Sequence, residues 1–550
     1  MCKLKIFALG GLGEFGKNLL VVQQNQDAII VDCGALFSDG RSPGIDIIIP
    51  DFSPLLDPDV HIHALLLTHA HEDHIGSVPY FLHERNVPVY GTRFTHALVK
   101  NKCEQFSNKL TLDFRLISDH QSFDIGPFHI TAVPMAHSIV EALGFFIDTR
   151  LGSIFHTGDF KMDPAPADGR ITDLDAIAKI ASSKKMLLLT SDSTNVMVPG
   201  ESLAETSIQE GIQSALDQTQ GKLVVTSFAS HVPRIMQLCQ LAQKNDRKVL
   251  LLGRSIIKNI ELAKAIGHMH VPEDLFVDEQ QATQVRPSDL MILATGTQAE
   301  PRAAMSKLVF GQFKGLTLGE HDRVVFSSRA IPGHERSIYH LINHIIRTGA
   351  DVWTWENARV HVSGHGYRED LRQMIKAVKP EYMLPVHGEL RMLKAHRALA
   401  IETGMTEDQT FFIENGDVLE FTDKGVTQLP RIELFPKMVD QGMLVEMSAS
   451  YLKDRKKLAL QGAVAVMMTI DPDTFALIHP PFAEEVGFVD ARMAQEVLDA
   501  IEDQIEREMI KLAKKPFHGN LEQQVRTWVN RVCRRHLDRK PIIIPIIVEV

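Results

Sequence analysis

An α/β fold is predicted for this chain of 550 residues by three features of its sequence. Short apolar runs of strand length recur along it, at residues 64–67, 186–190, 248–252 and 290–294 among others, and each ends in a polar turn. Helical patterns stand at 75–82, 368–378, 390–404, 490–512 and 521–538. Ligand-type side chains, His, Asp, Ser and Thr, gather in the turns at the carboxyl ends of the strands, where open α/β sheets hold their ligands. With 44% hydrophobic and 23% charged residues the chain is ordinary globular material, long enough for several cores, and three domains are expected.

Composition also excludes. The five cysteines, Cys2, Cys33, Cys103, Cys239 and Cys533, lie far apart without a CxxC, which rules out a disulfide framework or a local cysteine zinc site and points to a reducing compartment. No run reaches the roughly 18 apolar residues of a membrane span, and the amino terminus has no cleavage region, so a cytoplasmic protein with no membrane partner is expected. A formal charge of −11 speaks against nucleic acid as partner, although a metal centre can reverse that locally.

In chain order, Gly11-Leu12-Gly13-Glu14-Phe15-Gly16 matches the GxGxxG dinucleotide pattern. That pattern requires a following helix, whereas residues 18–24 and 27–34 read as two strands joined by a polar turn. A hairpin opening a sheet is therefore predicted, with Asp32 ending its second strand. The run 64–67 reads as a buried strand and 75–82 as a helix, which leaves Thr68-His69-Ala70-His71-Glu72-Asp73-His74 in the turn between them. Neutral imidazole with carboxylate suits zinc or manganese, and two histidines two apart plus an Asp-His pair can feed two neighbouring cations. The plain alternative is a solvated loop, against which the density of ligand-type side chains argues.

Strands and helices are read as alternating from 55 to 160, with His137 and Asp159 after apolar runs. Alone, the first would be a surface histidine and the second a turn residue. With the earlier cluster they complete a set in which one carboxylate bridges cations about 3.5–4 Å apart.

Between 205 and 350, strands at 222–227, 248–252, 290–294 and 323–327 predict a parallel sheet. Their ends read Phe228-Ala229-Ser230-His231, Gly253-Arg254-Ser255, Thr295-Gly296-Thr297-Gln298 and Ser327-Ser328-Arg329, a rim suited to phosphate oxygens if these are more than ordinary turns. A strand at 382–385 leads to His387. Residues 430–455 are mixed, and 462–550 hold strand, helix, helix and strand. Arg526, Arg531, Arg534, Arg535, Arg539 and Lys540 read as a solvated basic face.

The order His-Ala-His-Glu-Asp-His at 69–74, then His137, then Thr157-Gly158-Asp159-Phe160 resembles the metallo-β-lactamase fold superfamily. Ser191-Asp192-Ser193-Thr194-Asn195, His361-Val362-Ser363-Gly364-His365-Gly366 and Pro385-Val386-His387-Gly388-Glu389 resemble the three signatures of its β-CASP nucleic-acid-processing branch. With GGLGEFGKN at the start and the ending from Arg539-Lys540-Pro541 through Glu549-Val550, essentially the whole chain is similar to the ribonuclease J family.

The resemblance implies a metallo-β-lactamase αββα sandwich at 1–204 and 353–430, an inserted β-CASP α/β domain at 205–352, a linker at 431–455 and a small α+β oligomerisation domain at 456–550. It assigns one metal to His69, His71 and His137 and another to Asp73, His74 and His387, with Asp159 bridging two divalent ions, zinc or manganese. Asp73, Asp192 and His365 become catalytic, His365 protonating the leaving oxygen. From the residues alone, Asp192 is equally a helix cap and His365 a backbone-binding turn histidine. Ser230, His231, Val232 and Pro233 with His361, Val362, Ser363, Gly364 and His365 would hold a 5′-monophosphate. Here the chain departs from the family pattern, with His231 where asparagine and Pro233 where histidine are usual.

The implied activity is a two-metal ribonuclease on single-stranded RNA, a 5′-to-3′ exonuclease favouring 5′-monophosphorylated ends and also an endonuclease, in rRNA processing and mRNA decay. The implied partners are RNA, a homodimer or homotetramer, and other RNA-decay proteins. Two rivals are a hydrolase of small esters or thioesters, which the 69–74 motif alone permits, and a non-catalytic RNA-binding scaffold. The β-CASP signatures and His387 oppose the first, and the seven intact ligand positions oppose the second.

Overall fold

The computed structural model describes residues 2–37, 44–106, 110–331, 333–440, 443–445, 449–514 and 519–550, so the expected linker at 431–455 lies partly outside them. The chain forms two compact units, Met1–Phe37 with Ile47–Lys437, and Ser38–Asp46 with Met438–Val550.

Alternation of side chains along each strand builds the main core of the first unit. Leu4, Ile6 and Ala8 of the strand Leu4–Gly10 share it with Leu20 and Val22 of Leu19–Gln24, Ile29 and Val31 of Asp27–Val31, and Ala64 and Leu66 of His61–Leu66. These strands belong to an eight-stranded sheet. Ile130, Ala132, Leu143, Phe145, Ile147, Ile154, Leu188 and Leu384 meet them from a six-stranded sheet, so two sheets enclose one apolar layer. The helices Arg368–Val378 and Leu390–Glu402 cover the outer face of the second sheet, and Leu174–Ser182 packs on the former. On the first sheet, Arg93–Gln105 packs against Phe114–Leu116 and against the helix Val78–Glu84. This is the αββα sandwich of the metallo-β-lactamase fold.

The register of the second sheet places the site. Ser153–His156, Met186–Asp192 and Tyr382–Val386 run parallel, with His156 opposite Thr190 and Asp192 opposite Val386. Their carboxyl ends therefore lie level, and Asp159, Asp192 and His387 leave from one edge. The glycine loop after Leu4–Gly10 turns back into an antiparallel hairpin rather than a helix, and Gly13 N donates to Gly388 O at 2.9 Å, supporting the segment that carries His387.

Two local readings are corrected. A helix already begins at Glu72 (Glu72–Ile75, then Val78–Glu84), so Asp73 and His74 stand on its first turn rather than in a loop. Strand-helix alternation also stops at Phe114–Leu116, because the next four strands, Ser122–Ile125, Phe128–Pro134, Leu143–Asp148 and Ser153–His156, form an antiparallel meander that needs only short turns.

Between the two halves of the sandwich sits a wholly parallel six-stranded sheet. Leu223–Thr226, Lys248–Leu252, Leu290–Ala294 and Arg323–Phe326 form its centre, and Phe276–Val277 and Asp351–Trp353 its edges. These edge strands have two and three residues, too few to show a period in sequence. In the second unit a three-stranded sheet, Phe482–Val486, Ala463–Ile470 and Ile542–Glu549, lays Val464, Val466 and Met468 against Ile501, Ile505, Val525 and Val529 of the helices Ala491–Leu512 and Leu521–Leu537. The opposite face exposes Met467, Phe482, Ile544, Ile546 and Val548.

Phe145 is fully buried in the layer between the sheets. Phe145→Ala is expected to lower unfolding free energy by about 3–5 kcal/mol, read as a lower denaturant midpoint at unchanged slope.

Candidate metal centre

Six segments, carrying His69 to His74, His137, Asp159, Asp192, His365 and His387, converge at the edge of the sandwich. His71 is extended (φ −71°, ψ 151°), and the helix starting at Glu72 turns Asp73 and His74 back toward His69. Gly34 lies so close to Asp73 O that no Cβ fits between them. His387 stands in the left-handed region at φ 56°, a conformation uncommon for a histidine, and it brings the ring over Asp73.

Two ligand groups share one carboxylate. His71 Nδ1 lies 3.1 Å from both His69 Nε2 and His137 Nε2. Asp159 Oδ2 is 3.6 Å from His69 Nε2 and from His137 Nε2, 3.2 Å from His74 Nε2 and 3.6 Å from His387 Nε2. Asp73 Oδ2 closes the second group, 3.1 Å from His387 Nε2 and 3.5 Å from His74 Nε2. A third group, Asp192 and His365 with Asp159 and His387, adjoins them. All seven expected ligands and both further catalytic candidates are thus brought together, within hydrogen-bonding or near-contact distance of one another.

The donor atoms fit divalent cations. In a tetrahedral shell with metal–nitrogen bonds of about 2.0–2.1 Å, neighbouring donors stand about 3.3 Å apart, which matches the 3.1–3.6 Å spacings here. The partner of each outer nitrogen also selects the tautomer. His74 Nδ1 donates to Asp32 Oδ2 at 2.7 Å and His137 Nδ1 to Gly364 O at 2.7 Å. His69 Nδ1 donates to Thr68 Oγ1, whose own proton goes to Asp32. His387 Nδ1 donates to Thr194 Oγ1, whose proton goes to Asp192. Four Nε2 lone pairs are left facing the centre.

The electrostatics separate the two groups. Burial pushes His71 down to about 4, and burial with neighbouring histidines holds His69 and His137 well below the usual range, so these three are neutral donors. Burial would also lower His74 and His387, but Asp159 with Asp73, and Asp32 or Asp192, more than reverses it and holds both well above 6.5. Burial likewise opposes charge on Asp73, Asp159 and Asp192, yet the surrounding histidines keep all three low. Without cations, the second group neutralises its carboxylates with protons.

The substrate-side candidates are placed differently. Ser230, His361, Ser363 and His365 are half-buried, whereas His231, Val232, Pro233, Val362 and Gly364 are buried. His231 caps the helix Val232–Lys244 by accepting from Arg234 N, and its Nε2 faces Glu205 at 3.4 Å. At the other strand ends Thr297, Gln298, Ser327 and Ser328 are buried, leaving Arg254, Ser255 and Arg329 exposed.

Sequence reasoning did not single out Asn18, Thr68 or Thr194. Asn18 Nδ2 lies 3.1 Å from His74 Nε2 and 3.3 Å from Asp73 Oδ2. Thr68 and Thr194 flank signature residues and stood in view, but Asn18 arrives from the glycine loop and only folding brings it in.

Four segments match described families: residues 29–186 the beta-lactamase superfamily domain, 220–345 the ribonuclease J beta-CASP domain, 356–410 the Zn-dependent metallo-hydrolase RNA specificity domain, and 450–550 the ribonuclease J C-terminal domain. Ribonuclease J of Corynebacterium glutamicum is 34% identical over 550 residues, covering 100% of this chain and 76% of that protein. Ribonuclease J2 of Bacillus subtilis is 35% identical, covering 100% and 99%. A crystal structure of a protein of unknown function from Enterococcus faecalis V583 shares the fold, with a TM-score of 0.55 at 16% identity over 76% of this chain and 99% of that one.

Because Asp159 and its neighbouring carboxylates hold His74 and His387 well above the ordinary histidine range, cation uptake is expected to release protons near neutral pH and to weaken as pH falls. Calorimetry in buffers of different ionisation enthalpy measures both.

Proposed function

The chain belongs to the ribonuclease J family and is a metal-dependent ribonuclease, and from that premise we propose that it degrades single-stranded RNA both as a 5′-to-3′ exonuclease favouring 5′-monophosphorylated ends and as an endonuclease. One observation carries the reading: Asp159 Oδ2 lies within 3.6 Å of His69, His74, His137 and His387 at once. Two divalent cations on the seven-residue set, zinc or manganese, would supply positive charge to the scissile phosphate and acidify a water toward neutral pH.

The protein's own groups do the rest. Asp73 and Asp192 orient the water, whose proton passes to solvent as its oxygen bonds to phosphorus. His365 Nδ1 donates to Asp192 Oδ2 at 2.8 Å, which leaves Nε2–H to protonate the departing 3′ oxygen as its bond to phosphorus breaks. Burial alone would lower His365, but Asp192 and Asp159 raise it above the ordinary histidine value, so the acid form persists near neutral pH. The products are a 5′-phosphate and a 3′-hydroxyl.

A 5′-end subsite is proposed at the Ser230–Pro233 and His361–His365 segments, with half-buried Ser230, His361 and Ser363 as its contacts and the buried members shaping it. A cytoplasmic homodimer or homotetramer is proposed, associating through the apolar sheet face of the second unit and acting with other RNA-decay proteins. Among the described residues no helix is long and apolar enough to cross a membrane.

Incubation with 5′-monophosphorylated and 5′-triphosphorylated RNA, with and without chelator, tests this reading. Stepwise mononucleotide release, faster from the monophosphate and abolished by chelator, is expected; chelator-resistant turnover, or turnover of small esters alone, would reject it. His69→Ala is expected to abolish cleavage while leaving RNA retardation in gels near wild type. Since the Asp192 anion raises His365, Asp192→Asn is expected to move the alkaline limb of the kcat–pH profile to lower pH, and an unmoved limb would remove His365 as the acid.

A further inference from the structure

One arginine ties the inserted sheet to the loop that reaches the catalytic edge. Arg234, on the first turn of the helix Val232–Lys244, is completely buried. Its Nε and Nη2 grip Glu205 Oε1 and Oε2 at 2.7 and 2.9 Å. Nη1 donates to Ser327 O at 2.9 Å and to His361 Nδ1 at 2.7 Å, and Nη2 also to Val362 O at 3.0 Å. All five guanidinium N–H groups are used, and no shorter or single-headed cation could make these contacts together. Beneath it, Lys161 Nζ pairs with Asp163 Oδ2 at 2.7 Å and lies 3.6 Å from Glu205, so two buried cations balance two buried carboxylates.

The loop that Arg234 holds feeds the metal centre. Two residues beyond Val362, Gly364 O takes the proton of His137 Nδ1, and His365 then meets Asp192. The fit is close: a Cβ on Gly364 would lie 2.5 Å from Ser138 Oγ and 3.0 Å from His137 Cε1. Asn195 Nδ2 ties the far end of the loop to the sandwich through Ser363 Oγ and His365 O, at 2.8 and 3.0 Å. Ser327 Oγ donates to Val360 O at 2.6 Å just before the loop, and among the described residues the hydrogen bonds from the inserted domain to 361–365 are those of Arg234 and of the Ser327 carbonyl it shares.

We propose that Arg234, with Glu205, is a positioning residue for catalysis: through Val362 and His361 it sets the height of the 361–365 loop, and hence where Gly364 O holds His137 and where His365 stands over the scissile phosphate. The segment 230–234 thus acts from inside the protein on the reaction, whatever its surface offers to the RNA. The proposal rests on the ribonuclease reading of the centre. A loop shift of about 1 Å at such a site costs up to a hundredfold in rate, and loss of a ligand's outer partner costs about tenfold to a hundredfold in metal affinity or activity.

Two variants separate positioning from folding. Arg234→Lys keeps the charge beside Glu205 but cannot span to Val362 O and His361. Arg234→Met/Glu205→Met removes both charges together, avoiding an unpaired buried carboxylate. Each full-length variant is measured for melting temperature, retardation of a phosphorothioate RNA, kcat and KM, and zinc release to a competing chelator. The expected result is a near-wild-type melting temperature and RNA retention, kcat down about tenfold to a hundredfold at little-changed KM, and one zinc equivalent released about tenfold more readily. A folded variant whose kcat and zinc release stay within twofold of wild type overturns the proposal. A wild-type chain inactive on RNA overturns the ribonuclease reading instead, and zinc release then still decides the role of Arg234.

Discussion

A carboxylate with almost no solvent, Asp159, is the constraint on which the first unit depends. Burying such an anion unpaired costs several kcal/mol, and Asp73 and Asp192 crowd it with further negative charge. Only positive charge inside the ring of histidines reconciles the three. Divalent cations supply it in the working enzyme, and protons on His74 and His387 supply it when cations are absent. The same groups that make the apo centre self-consistent therefore make it a competitor for metal against protons.

The backbone meets that constraint through strand register. Three parallel strands end level, so residues far apart in sequence, Asp159, Asp192 and His387, emerge side by side without any contact between them being required during the formation of each strand. The first sheet supplies the opposing wall, and its hairpin contributes Asp32, which anchors Thr68 and His74 together. The rings of His69, His74, His137 and His387 are each fixed by a hydrogen bond on the outer side, so their Nε2 atoms point at the centre before any ion arrives. The left-handed backbone of His387 is the local strain accepted for this.

The inserted sheet makes its closest approach to the centre through polar contacts. Arg234, Glu205, Lys161 and Asp163 form a buried, charge-balanced knot below the 361–365 loop. An apolar seam would tolerate small slips in register, whereas five directional hydrogen bonds from one planar group do not. At the strand ends Ser327 and Gln298 are spent on backbone partners, while Arg254 and Arg329 are exposed at the rim.

The ligand-type motifs and most of the elements are legible in the order of residues alone. All seven ligand-type residues sit in motifs whose density or order is visible in one dimension, and the apolar runs ending in those motifs became the strands beside the site. The glycine-rich start was legible as a hairpin because two strand-like runs joined by a polar turn follow it where a dinucleotide motif needs a helix. Only the tertiary structure decided that His387 reaches Asp73 and Asp159, because register between distant parallel strands is a pairwise property that neither strand carries alone. It also decided that Asn18 enters the centre and that His231 and Arg234 turn inward: the direction of a polar side chain near a strand end depends on which buried charge it must neutralise, and that charge, here Glu205, comes from another part of the chain.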